Sequence, residues 1–119
     1  MFEINFKVKN ISITDNKEDM YYMVSLADSK DSNPSNYLIF QKTYDPDELE
    51  EESELSEPYI ECNGESCYNC CNLLTFNKDE LQFEVKGTKF SLLFNDMEFN
   101  RKEFIEMMKN IFDSRLIVS

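Results

Sequence analysis

Ten carboxylates crowd a stretch, residues 43–77, that holds no lysine or arginine: Asp45, Asp47, Glu48, Glu50, Glu51, Glu52, Glu54, Glu57, Glu61 and Glu65. Acids at this density suit two kinds of chemistry, divalent-cation binding and acid–base hydrolysis. Asp45-Pro46-Asp47 opens like a calcium loop. However, Leu49 stands where an oxygen ligand belongs and Glu50 where the loop needs glycine for its sharp turn. Hydrolysis by paired carboxylates needs two of them fixed on a concave surface, and acids strung along a loop meet no such requirement. What remains is an electrostatic field. The stretch carries −10 of the chain's net −12, and each flank comes to −1. Such a field repels nucleic acid and anionic membranes. It attracts basic proteins, with association rates of roughly 10⁸ M⁻¹s⁻¹ at low salt. The bland alternative is a solvated loop, at about residues 43–57, that confers only solubility. Its borders favour the first view, because Tyr44 precedes the acids and Pro58-Tyr59-Ile60 follows Glu57. The expected partner-binding set is therefore Tyr44, Asp45, Asp47, Glu48, Glu50, Glu51, Glu52, Glu54, Glu57 and Tyr59.

Four cysteines, Cys62, Cys67, Cys70 and Cys71, fall within ten residues. Four thiolates would complete a tetrahedral zinc site, but such sites draw on two Cys-x-x-Cys knuckles set well apart. Here Cys67 and Cys70 are followed at once by Cys71, whose side chain on a strand would point to the opposite face. A thioredoxin-like motif would open a helix in a βαβ unit, whereas this one sits in strand-like sequence. The expectation is four reduced thiols packed as small hydrophobes. Cys62 and Cys67 flank a turn and could approach one another.

Histidine is absent, which removes the commonest general base and metal ligand. With only Gly64 and Gly87, no glycine-rich loop can cradle a phosphate. Cofactor enzymes of the nicotinamide and nucleotide kinds are thereby excluded, and neither cofactor nor metal is expected. The N-terminal residues lack the basic and apolar regions of a signal peptide, and no apolar run approaches a membrane span. A soluble cytoplasmic protein is expected. At 119 residues the chain is one domain, 1–119, whose core is supplied by ten phenylalanines and six tyrosines.

The elements that must position these residues are mostly strands. Phe2, Ile4, Phe6 and Val8 alternate with polar residues, and Ile11 and Ile13 continue one register out, which predicts a bulge or bend near Lys9-Asn10. Residues 20–27 and 37–42 are apolar on both faces and read as central strands, joined by a polar loop at 28–36. Asn63-Gly64 is the strongest hairpin signal, between residues 59–62 and 66–71, with 73–76 an extension of the second strand. Asn77-Lys78-Asp79 and Lys86-Gly87 join further strands. Asn100 with Glu103 predicts a helix start, and Phe104, Ile105, Met108, Ile111 and Phe112 recur at helical spacing. Leu116-Ile117-Val118 could form a final edge strand. The fold class is α+β: mainly antiparallel sheet of consecutive hairpins, with one C-terminal amphipathic helix packed on it.

From Val24 onward the order of segments resembles the immunity protein 10 family of bacterial polymorphic toxin systems. The resemblance rests on Leu26-Ala27-Asp28, then Tyr37-Leu38-Ile39-Phe40-Gln41-Lys42, an acidic stretch, Tyr59-Ile60-Glu61, and Cys67-Tyr68-Asn69-Cys70-Cys71. Lys42 stands where the family tends to have arginine, and Cys70 and Cys71 where it tends to have glycines. The resemblance implies a non-catalytic cytoplasmic protein that neutralises a cognate toxin. A nuclease toxin with a basic cleft would suit the acidic stretch. Two other classes use the same acids. A nucleic-acid mimic would need them spaced like phosphates on an ordered surface. A small carboxylate–metal hydrolase would need magnesium-dependent turnover lost with a single acid-to-amide change.

Overall fold

The computed structural model describes residues 2–43, 57–95 and 97–119. Among the described residues ten strands run in chain order: β1 (Phe2–Lys7), β2 (Asn10–Asn16), β3 (Tyr21–Ala27), β4 (Tyr37–Thr43), β5 (Tyr59–Cys62), β6 (Glu65–Tyr68), β7 (Leu74–Asn77), β8 (Glu80–Val85), β9 (Thr88–Leu93) and β10 (Leu116–Val118). Helix α1 (Arg101–Phe112) and a 3₁₀ turn, Asp113–Arg115, precede β10. The class is α+β, as the residue patterns predict, and the consecutive hairpins are present.

They form two sheets. The first is an antiparallel meander, β2-β3-β4-β5-β6. The second runs β1-β9-β8-β7-β10 and is antiparallel at its centre, with β1 and β10 added parallel to β9 and β7 at its edges. The predicted bend at Lys9-Asn10 is the crossing between them. The Val8 amide donates to Leu93 O at 2.7 Å in the second sheet, and the next amide, Lys9, donates to Ala27 O at 2.8 Å in the first. The shift of one register in the apolar pattern is this change of sheet.

Residues 73–76 correct an expectation. They do not extend β6. Asn69 adopts φ 52° and its amide bonds Pro58 O at 2.8 Å, which turns the chain away after Tyr68. Buried Cys71 then leads into β7 of the other sheet. Asn63 and Gly64 meet the hairpin expectation, both at positive φ (51° and 92°), the conformation a two-residue type I′ turn requires.

The core lies between the sheets. Val24, Leu26, Leu38, Phe40 and Ile60 of the first sheet face Leu74, Phe76, Leu81, Phe83, Phe90 and Leu92 of the second. Helix α1 starts where Asn100 caps it, accepting the Glu103 amide at 3.1 Å. It buries Phe104, Met107, Met108, Ile111 and Phe112. Ile105, expected in that stripe, is only half-buried, and Met107 takes the place, because positions 104, 107, 108, 111 and 112 keep the 3.6-residue period. The helix joins the sheets: Phe112 meets Phe40 edge-on at 5.5 Å, and Phe104 meets Phe76 at 5.3 Å.

Candidate functional site

With Leu38, Phe40 and Ile60 committed to the core, strand alternation turns Tyr37, Ile39, Gln41, Tyr59 and Glu61 to the outer face of the first sheet. The register arranges them in rows. Met23 pairs with Gln41, Gln41 with Tyr59 and Tyr59 with Tyr68; beside them run Ser25, Ile39, Glu61 and Ser66. The Tyr59 and Tyr68 rings lie 5.0 Å apart. Together with Lys42, Thr43 and Glu57, this face lines an open cavity of about 260 Å³ whose lining includes Met23, Ile39, Gln41, Tyr59, Glu61 and Tyr68.

Glu61 is the centre of the face. Tyr37 Oη donates to its Oε2 at 2.7 Å and Tyr59 Oη to its Oε1 at 2.6 Å. The network thus joins β4 to β5. The Tyr59 hydrogen bond, followed by that of Tyr37, holds the Glu61 carboxyl below its ordinary 4.5. Reciprocally, the bond to Glu61 is the main cause that pushes both phenols above 10.0. A raised phenol adds stability that is present below 10.0 and lost as pH climbs through the raised value. In an alkaline titration followed by phenolate absorbance, two tyrosines should therefore ionise late. Glu61→Gln should move that late fraction back toward the ordinary range.

Two ion pairs lie at the residues that flank the acidic stretch in the chain. Lys42 Nζ lies 3.6 Å from Asp113 Oδ2, and Arg115 Nη2 lies 3.5 Å from Glu57 Oε2. Lys42 lies just before the connection that leaves β4, and Glu57 just before β5, so both ends are joined to the one 3₁₀ turn after α1. Exposed pairs of this kind stabilise by about 0–1 kcal/mol. Their effect is to locate the chain rather than to hold the fold.

The family model for immunity protein 10 matches residues 7–100. The chain belongs to the immunity protein 10 family. No curated protein matches it. Membership brings a toxin-neutralising role and a cognate toxin protein as partner, and immunity proteins generally work by binding. The matched span covers β2 to β9, and with them the whole tyrosine face, while α1 and its 3₁₀ turn lie outside it. No helix among the described residues is long and apolar enough to cross a membrane.

Of the residues expected to bind the partner of this immunity protein, Tyr59 lies on the outer face and Glu57 lines the cavity while bonding Arg115. Tyr44, Asp45, Asp47, Glu48, Glu50, Glu51, Glu52 and Glu54 lie outside the described residues. Thr43 and Glu57, which border that stretch, both line the cavity. Tyr37, Tyr68 and Glu61 also belong to this face, although the residue pattern did not single them out. A signal existed: a two-residue turn at Asn63-Gly64 pairs Cys62 with Glu65, which sets Tyr59 beside Tyr68 three steps away.

The cysteines depart from expectation. Cys67 and Cys70 form a disulfide, their Cα atoms 6.0 Å apart, and only Cys62 and Cys71 are free. The reason is again Asn69: its positive φ reverses the chain between the two cysteines, which an extended strand would have held apart. The Cys62 thiol is pushed up to about 11 by burial and the nearby Glu65 charge, so it is a poor nucleophile. The Cys71 thiol is buried and donates to Leu73 O at 3.4 Å. Alkylation in denaturant should accordingly add two groups without reductant and four with it, as read by intact mass. Among the described residues no three Cys, Asp or Glu side chains converge to hold a metal ion.

Proposed function

We propose that this immunity protein sequesters a basic, nuclease-like toxin domain in the cytoplasm, without catalysis of its own. The contact would combine the acidic connection (Asp45, Asp47, Glu48, Glu50, Glu51, Glu52, Glu54 and Glu57) with aromatic anchors at Tyr44 and Tyr59. One observation carries the reading: the most acidic stretch of the chain leaves and rejoins the body beside the cavity of the tyrosine face. A cleft shaped for phosphates presents cations, and a carboxylate-rich segment whose two ends border an aromatic surface complements it in charge and in contact area. A nucleic-acid mimic fits less well, because the two central rows of that face carry Glu61 as their one carboxylate.

The test is co-expression with the toxin domain encoded beside this gene. Growth should be restored, and the two chains should co-purify at equal stoichiometry. Soluble protein that neither rescues growth nor co-purifies would overturn the proposal.

A further inference from the structure

Glu61 is unusual among the charged groups that line the cavity. Lys42 and Glu57 are already paired, with Asp113 and Arg115. Glu61 has two phenols and no lysine or arginine partner among the described residues. Each of its oxygens accepts one hydrogen from a tyrosine and keeps a second acceptor position. The two oxygens are thus held in one orientation and ready for a planar pair of donors.

What surrounds this carboxylate defines the rest of the guest. Tyr59 and Tyr68 both line the cavity, their rings 5.0 Å apart and tilted by 53°, and aromatic surface of this kind attracts a delocalised cation. Met23 and Ile39 give an apolar surface for an aliphatic stem. The cavity, about 260 Å³, falls below the roughly 300–1,000 Å³ of small-molecule sites and suits a side chain better than a free ligand. A lysine ammonium would satisfy the charge but could neither fork across both oxygens nor stack on the rings.

We infer that the tyrosine face of this immunity protein is the toxin-docking surface, and that Glu61 receives an arginine side chain projected by the toxin. This rests on the reading that the partner is a basic toxin domain. The guanidinium donates to both Glu61 oxygens and lies against Tyr59 and Tyr68. Tyr37 acts behind it as a positioning residue. The acidic connection attracts the toxin, and the Glu61 seat holds it.

The experiment uses the neighbouring gene's toxin domain, catalytically inactivated, with association and dissociation measured on the full-length immunity protein. Glu61→Gln should weaken binding by about 30-fold or more, mainly through faster dissociation, as expected when one partner of a desolvated charge pair is removed. Its melting temperature at neutral pH shows that it is folded. One toxin Arg→Ala variant should give the same loss and add little in the Glu61→Gln background, and Arg→Lys at that position should recover only part of the affinity. If wild type binds and protects while Glu61→Gln binds equally well, the seat is wrong and the immunity reading stands. If every toxin arginine adds independently to Glu61→Gln, or Arg→Lys costs nothing, the arginine assignment falls. If wild type neither binds nor protects, the functional reading itself fails. A free protein that sediments as a dimer dissolved by Glu61→Gln would make the occupant a second copy and overturn the proposal.

Discussion

Phe40→Ala should lower the unfolding free energy by about 3–5 kcal/mol, the usual cost of emptying a buried phenylalanine site. Phe40 is fully buried on β4. Its ring meets Phe83 of the opposite sheet edge-on at 5.6 Å and Phe112 of α1 at 5.5 Å. It is therefore shared by all three bodies of the core, and no one of them can close the cavity alone. A domain of this kind has about 5–15 kcal/mol in total, so the variant sits near the edge of folding. In urea the midpoint should fall sharply with the slope retained. Phe2→Ala, at a ring 79% exposed, should leave it within about 0.5 kcal/mol. If the two variants unfold alike, the core is not organised around Phe40.

That core was only partly legible. Local signals were sound where the chain decides its own geometry. Asn63-Gly64 and Lys86-Gly87 make hairpins because positive φ is needed there, and Asn100 caps α1 because its side chain reaches the Glu103 amide. What alternation does not carry is which sheet a strand joins. Phe6 and Val8 read as one pattern with Ile11 and Ile13, yet the hydrogen bonds of Val8 and Lys9 send them to different sheets. The parallel edges β1 and β10 depend on contacts with β9 and β7, some 85 and 40 residues away in the chain, and no local pattern encodes such pairings.

The site was harder still, for a physical reason. An outward tyrosine on a strand has the composition of a core residue, so Tyr37 and Tyr68 passed as packing material. Only the register brings Tyr37 to Glu61 and Tyr68 to Tyr59. The acids, by contrast, were legible as charge. Glu61 was counted among ten and not distinguished, because its two phenol partners come from β4 and from β5 itself, 24 and 2 residues away. The disulfide was missed because Asn69 was read as strand.

Neutralising Glu50, Glu51 and Glu52 together to Gln should slow association with the toxin by about 10-fold at low salt, given that steering fields raise encounter rates by roughly 10–10³. Dissociation should change much less. These residues lie in the chain between Thr43 and Glu57, both of which line the cavity, and steering by charge needs no fixed contacts. The wild-type rate should fall steeply between low and physiological salt, where the screening length shortens to about 8 Å. The two curves should converge as salt rises. A melting temperature close to that of wild type shows that the triple variant is folded. The comparison with Glu61→Gln separates the two roles along different rate constants: the triple variant loses arrival, and the single one loses residence. An unchanged association rate in the triple variant would reduce the acidic connection to a solubility feature and leave binding to the tyrosine face alone.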